Sequence, residues 1–314
     1  MPDKGALYRK GQDFEKSGRY EEALAVFTRI VEIYPEEVPA LLKRGDLLDE
    51  LGRYDEALAS LSRAAKIDPC NLIPWYNSGV ILARIQRFEE AVRCYDRAIE
   101  IEPQNPLIWN NRGTALLGAG KIQDALACFE QAIEIDPAYS RALYNKGLAL
   151  QELSRYGEAL ECFDGVCERE PEFAPGWGNK GTTLSLLGRY PEAVACFEKV
   201  LDINPGDPIA QYNLGNALDR MGLHEIALPI FDHLLDSDPG YADAWLNRGN
   251  ALAALGKYEE AVASFEKGLS ILPGSSKGWC NRGISLAKLG RYEEAVASFD
   301  RAIAIDPDDT IALA

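Results

Sequence analysis

Residues 106–139 read PLIWNNRGTALLGAGKIQDALACFEQAIEIDPAY, and the spacing of their apolar side chains decides the fold. Ile108, Trp109, Ala115, Leu116 and Ala119 recur at three- and four-residue spacing, one stripe of an amphipathic helix covering residues 106–120, with a turn at Gly120. Ala125, Leu126, Phe129, Ala132 and Ile133 repeat the stripe in a second helix, residues 122–135. That helix has to end before Pro137, because proline lacks the amide hydrogen that a continuing helix needs. The stretch predicts a pair of helices joined by a tight turn.

The same pair recurs on either side without an insertion. Nine prolines stand 34 residues apart (Pro35, Pro69, Pro103, Pro137, Pro171, Pro205, Pro239, Pro273 and Pro307), and nine glycines (from Gly11 to Gly283) and nine alanines (from Ala23 to Ala295) keep the same step. The units are 4–37, 38–71, 72–105, 106–139, 140–173, 174–207, 208–241, 242–275 and 276–309. Residues 310–314, TIALA, look like the first turn of a tenth. A two-helix unit this small cannot bury its own apolar face, so neighbours have to stack. The expected fold is therefore all-α, a right-handed αα superhelix of paired antiparallel helices, forming one solenoid over residues 1–314.

A glycine inside a helix costs about 1 kcal/mol relative to alanine, so nine of them call for a common cause. The expectation is a close crossing of the two helices at Gly113 and Ala125, with Trp109, Leu116 and Phe129 filling the space on either side. Acidic residues in the first turn of most second helices suit the positive end of the helix dipole, which accounts for much of the acidity. Pro229 falls inside one predicted second helix.

The pattern of Trp, then Gly four residues on, then Ala, Phe and Pro, resembles the tetratricopeptide repeat family over all nine units. Two features depart from the family pattern. A base precedes the glycine in most units (Arg44, Arg112, Lys146, Lys180, Arg248, Arg282), and leucine mostly replaces the tyrosine that follows it. The resemblance implies a concave groove, lined by successive first helices, that binds peptides or protein segments. Numbered within a unit, positions 2, 5, 9, 12 and 13 of the first helix are expected to face it, with position 6 at its edge.

Position 6 is asparagine in seven consecutive units: Asn77, Asn111, Asn145, Asn179, Asn213, Asn247 and Asn281. Asparagine offers donors and an acceptor, so such a row can pair with the backbone of an extended peptide; it can equally tie neighbouring repeats together. It is similar to the asparagine ladder in the repeat domain of O-linked N-acetylglucosamine transferase. Asn216 and Asn250 double the signal at position 9, and Tyr8, Tyr76, Tyr144 and Tyr212 stand at position 5 of alternate units. Groove charge is nearly balanced, acidic in the first two units and basic in the last. The lysine clamp by which some family members grip a C-terminal carboxylate is not matched.

Chemistry finds little footing. Cys94, Cys128, Cys162 and Cys196 look like a metal series, but they are 34 apart, the signature of equivalent core positions on stacked repeats. His224 and His233 are nine residues apart, on opposite faces of one helix. There is no phosphate loop and no nucleophile motif, so no catalytic residue, metal or cofactor is expected. A net charge of −16 argues against nucleic acid as a partner, and no apolar run is long enough to span a membrane. Seven cysteines without paired spacing fit a reducing, cytoplasmic setting. The leading expectation is a protein-binding scaffold that is not an enzyme. The alternatives are a solenoid that self-assembles end to end through an exposed C-terminal repeat, and the substrate-recruiting arm of a larger enzyme such as a glycosyltransferase.

Overall fold

The computed structural model describes residues 3–307, where the chain forms eighteen helices: α1 (Lys4–Lys16), α2 (Tyr20–Ile33), α3 (Val38–Glu50), α4 (Tyr54–Ile67), α5 (Leu72–Arg84), α6 (Phe88–Ile101), α7 (Pro106–Gly118), α8 (Ile122–Ile135), α9 (Ser140–Glu152), α10 (Tyr156–Arg169), α11 (Ala174–Leu186), α12 (Tyr190–Ile203), α13 (Pro208–Arg220), α14 (His224–Ser237), α15 (Ala242–Ala254), α16 (Tyr258–Ile271), α17 (Ser276–Lys288) and α18 (Tyr292–Ile305). Every first helix takes unit positions 1–13 and every second helix positions 17–30. The TIALA segment lies outside the described residues. α14 runs through Pro229 without interruption, with the proline on its exposed side.

Contacts divide the chain into two units, Met1–Cys162 and Phe163–Ala314. Within each, a first helix packs on the second helix of its own pair, and that second helix packs on the next first helix. Each unit is thus a stack of antiparallel helix pairs.

The hairpin turn is closed by a reversal of the backbone after each first helix. In unit 106–139 the Lys121 N–H donates to the Leu116 carbonyl at 2.9 Å and the Gly120 N–H to Leu117 at 2.9 Å. This satisfies carbonyls the helix leaves over, and it needs one residue in the left-handed region. Gly120 supplies it with φ 73°. Gln86 (φ 62°) and Ser154 (φ 57°) hold the same place without being glycine.

Inside the pairs other than 140–173, the glycine of the 34-residue step faces the large side chain sixteen residues on. A Cβ built on Gly113 would lie 2.6 Å from the Phe129 ring, and the same clash arises between Gly181 and Phe197, Gly215 and Phe231, and Gly249 and Phe265. The close approach expected at Gly113 is therefore real, and the atoms nearest to it belong to the Phe129 ring. Trp109 does not flank it: its indole N–H reaches back 2.9 Å to the Pro103 carbonyl. Trp75, Trp177, Trp245 and Trp279 make the same bond to the proline six residues earlier, and Gln211 substitutes for tryptophan in doing so.

The bases before the glycine strap consecutive repeats together. Arg112 Nε donates to Asp96 in the preceding second helix at 2.7 Å, and its Nη1 to Cys128 Sγ in its own at 2.9 Å. Arg248 spans Asp232 and Ser264 at 2.6 Å each, and Arg282 spans Glu266 and Ser298. Arg44 reaches Thr28 and Ser60. Lys146 and Lys180 make the acidic half of the bridge, to Glu130 and Asp164. Leucine at this place would forgo these ion pairs and hydrogen bonds between repeats, which accounts for the departure from the family pattern.

Candidate functional site

The asparagines of position 6 lie half-buried on the seam between consecutive first helices. In the first unit, Asn77 Nδ2 donates to Asp46 at 2.9 Å, Asn111 to the Tyr76 hydroxyl at 3.0 Å, and Asn145 to Asn110 at 2.9 Å. In the second, Asn247 donates to the Tyr212 hydroxyl at 3.1 Å and Asn281 to Asn250 at 2.8 Å, while Asn250 donates to Asn247 at 3.3 Å. Asn179 bonds the Pro175 carbonyl of its own helix at 3.0 Å. Five of the seven rungs thus bind position 5 or 9 of the preceding repeat. Sequence pattern alone cannot separate this bracing from ligand contact.

Position 5 is more enclosed than a wheel drawn for one isolated helix predicts. Asn110, Leu246 and Cys280 are buried there, and at Asn110 and Leu246 the next first helix packs across that flank. The tyrosines at this position are half-buried and largely engaged. Tyr8 meets Phe27 edge-on at 5.7 Å, Tyr76 lies 6.2 Å from Tyr95, and Tyr212 lies 5.3 Å from Tyr241. Burial pushes the Tyr212 phenol above its ordinary pKa, so it stays a neutral hydroxyl that accepts from Asn247. Tyr144 is also half-buried. Positions 2 and 13 are exposed in every unit.

One rung differs. Asn213 makes no hydrogen bond to any described residue, because position 5 of the preceding repeat is Gly178 and offers it nothing to bond. A Cβ at Gly178 would find only Val200, at 4.0 Å. Thr182, at position 9, has spent its hydroxyl on the Gly178 carbonyl at 2.9 Å. Gly178 borders a small cavity of ≈ 290 Å³, and a second of ≈ 260 Å³ meets it at Asn213, both bordered by Thr182 and Phe197. Ile209 borders one and is 64% exposed; Leu186 borders the other and is 56% exposed. Arg220 stands at the second, with no ion pair to a described residue, and Asn216 beside it. Sequence reading singled out Asn213 and Asn216 but missed Gly178; the signal was the gap it leaves in the column otherwise filled by Tyr, Asn, Leu or Cys.

The cysteines of the 34-residue series are structural. Cys128, Cys162 and Cys196 are buried and Cys94 half-buried, all at one position of the second helix. Burial pushes the Cys94, Cys162 and Cys196 thiols up to about 11, which keeps them protonated at neutral pH. His224 Nδ1 lies 2.7 Å from Asp219 Oδ1, a pairing across the hairpin turn that the sequence did not suggest. Among the described residues no group of three His, Cys, Asp or Glu could hold a metal ion, and no helix is long and apolar enough to cross a membrane.

Stacked helix pairs with a polar seam of first helices define a helical repeat protein. The chain belongs to the tetratricopeptide repeat family: models of that repeat match residues 8–71, 110–175 and 212–276, with further matches at 72–138, 181–222 and 276–309. No curated protein matches it in sequence. Among solved structures it is similar to YrrB, described as a TPR protein with an unusual peptide-binding site, at 26% identity over 59% of this chain and 95% of that one, with a TM-score of 0.50. It shares its fold with the C-terminal part of a TPR repeat-containing protein from Cytophaga hutchinsonii (20% identity, 76% and 98% covered, TM-score 0.61). It likewise resembles the APC/C hetero-tetramer Cut9-Hcn1 (18% identity, 93% and 57% covered, TM-score 0.57).

Proposed function

We propose that the chain is a protein-interaction scaffold that holds an extended peptide along the first-helix face of its second unit, with Asn213 as the point of capture. The observation that carries this reading is the unspent amide of Asn213, set between two cavities that have room for side chains. Asparagine presents donor and acceptor to a peptide bond together, the cavities are of side-chain and not cofactor size, and Arg220 favours an acidic residue beside the apolar one. The similarity to YrrB supports peptide binding as the mode. The unpaired cysteines support a reducing compartment. The remaining asparagines brace the array, and their spare amide hydrogens add weaker contacts.

Selection of extended peptides from a random library by the wild type, Asn213→Ala and Gly178→Tyr tests this. Tyrosine at 178 recreates the Tyr76–Asn111 arrangement, filling the cavities and consuming the amide without disturbing the fold. The expected result is enrichment of an apolar residue next to an acidic one by the wild type, lost in both variants. Equal enrichment by all three places the site elsewhere.

A second reading, self-association, rests on α18. Val296 is 58% exposed there, whereas its counterpart Val262 in the preceding unit is 3% exposed. A mass by light scattering that rises with concentration, and that Val296→Lys abolishes, supports a second copy on that face; a constant monomer mass removes the idea.

A further inference from the structure

The strap that joins consecutive repeats is absent at one junction of the first unit, and a cavity opens where it would lie. In unit 72–105 the base before the glycine is replaced by Ser78, and the acid it would reach in α4 is replaced by Ser62. Leu214, the other apolar or small residue at this place beyond the first unit, fills its slot with its own buried side chain. Ser78 does not. The slot that holds an arginine at Arg112, Arg248 and Arg282 is here an opening of ≈ 680 Å³, within the range of small-molecule sites, about 300–1,000 Å³.

Its walls are built for a ligand of mixed character. Leu58, Ala65, Trp75 and Leu82 give an apolar body, joined by Cys94, whose thiol is held neutral by burial. Ser78 is a largely buried residue that lines the cavity, and its hydroxyl has no hydrogen-bond partner among the described residues. Other helical serines of this array, such as Ser60, Ser264 and Ser298, return their hydroxyls to the carbonyl four residues back. The Ser78 hydroxyl is instead left open to a partner in the cavity it lines. The charges at the mouth are unequal. Arg87 and Glu90 consume one another through two bonds of 2.6 and 2.7 Å, and Asp55 lies 3.6 Å from the same guanidinium. Lys66 makes no ion pair to a described residue and stands as the charge left over at the cavity.

We propose that this cavity binds a small amphipathic carboxylate: an aromatic or branched aliphatic body against Trp75 and Leu58, a polar atom toward Ser78, and the anionic end at Lys66. The site is independent of the peptide reading, since α4, α5 and α6 of the first unit line it and it shares no residue with the cavities at Asn213. Binding there bridges α4 and α6 as Arg112 bridges α6 and α8, so an occupied cavity closes the junction of the first unit that lacks a strap.

The test is calorimetric titration of the full chain with 3-(4-hydroxyphenyl)propionate and with its uncharged alcohol. The carboxylate is expected to bind more tightly than the alcohol by roughly two- to fivefold, the size of an exposed ion pair, and Lys66→Gln is expected to erase that difference. The double variant Ser62→Asp with Ser78→Arg rebuilds the strap found at the other junctions, and is expected to fold with a higher melting temperature while binding neither probe. No heat with the wild type, or unchanged binding in the rebuilt variant, overturns the proposal. Equal affinity for both probes overturns the assignment of a carboxylate.

Discussion

The Phe129 ring occupies the place where Gly113 would carry a side chain, with only 2.6 Å between its edge and an ideal Cβ. The glycine costs about 1 kcal/mol in helix propensity, and the ring it admits is fully buried. Burying such a side chain contributes roughly 1.5–3 kcal/mol, so the exchange favours glycine. Gly113→Leu has to expel the ring or part the helices, and overpacking of this kind costs about 1–3 kcal/mol or more. Urea melting is expected to show that loss, with hydrogen exchange rising first in residues 106–139. A melt matching the wild type would mean that the ring is free to move aside.

Much of this architecture is legible because one short pattern recurs nine times. The second helix predicted at residues 122–135 matches α8, and the first ends two residues sooner, at Gly118, where the carbonyls turn to meet Gly120 and Lys121. What one unit could not disclose is what its neighbours do to it. Position 5 is on the free side of a lone helix but is covered by the next first helix at Asn110 and Leu246. The asparagines read equally as bracing or as ligand contacts until Asn111 is seen on Tyr76 and Asn213 on nothing. Both cavities were written in the sequence only as exceptions, Gly178 and Ser78, whose meaning depends on what the other repeats place there.

The strap predicts a measurable coupling between repeats. Arg248 and Asp232 meet at 2.6 Å, but Asp232 is half exposed, so solvent screens the pair and the coupling is expected at about 0.5–1 kcal/mol. A double-mutant cycle of Arg248→Met and Asp232→Ala is expected to return that value at low salt and a smaller one at 1 M salt. Additive single effects would show that Arg248 acts through its bond to Ser264 alone.

Gln86 and Ser154 occupy the left-handed turn position that glycine holds in the remaining units among the described residues. An L side chain there costs roughly 1–2 kcal/mol, while introducing glycine gives back part of this through the greater freedom of the unfolded chain. Gln86→Gly and Ser154→Gly are each expected to stabilise by about 0.5–1 kcal/mol, and together to add. Thermal melting checks this directly; a lower melting temperature for either would point to a side-chain contact stronger than the backbone strain.

Asp46 supplies the pH dependence. Burial raises its pKa, opposed by the Lys43 ammonium and by the hydrogen bond from Asn77. A carboxyl whose folded pKa lies above its unfolded value binds protons more readily in the folded chain, so its contribution to stability falls as pH rises through that range. Above the raised value the full cost of the buried charge is present. Asp46→Asn removes the charge and keeps an amide oxygen to accept from Asn77, the pairing already seen between Asn281 and Asn250. The variant is therefore expected to be more stable than the wild type at neutral pH, with the advantage shrinking as the wild-type carboxyl is protonated in acid. Melting temperatures of the two proteins measured from neutral to acid pH decide it: a constant difference, or a less stable variant at neutral pH, would show that the carboxylate's attraction to Lys43 outweighs its burial.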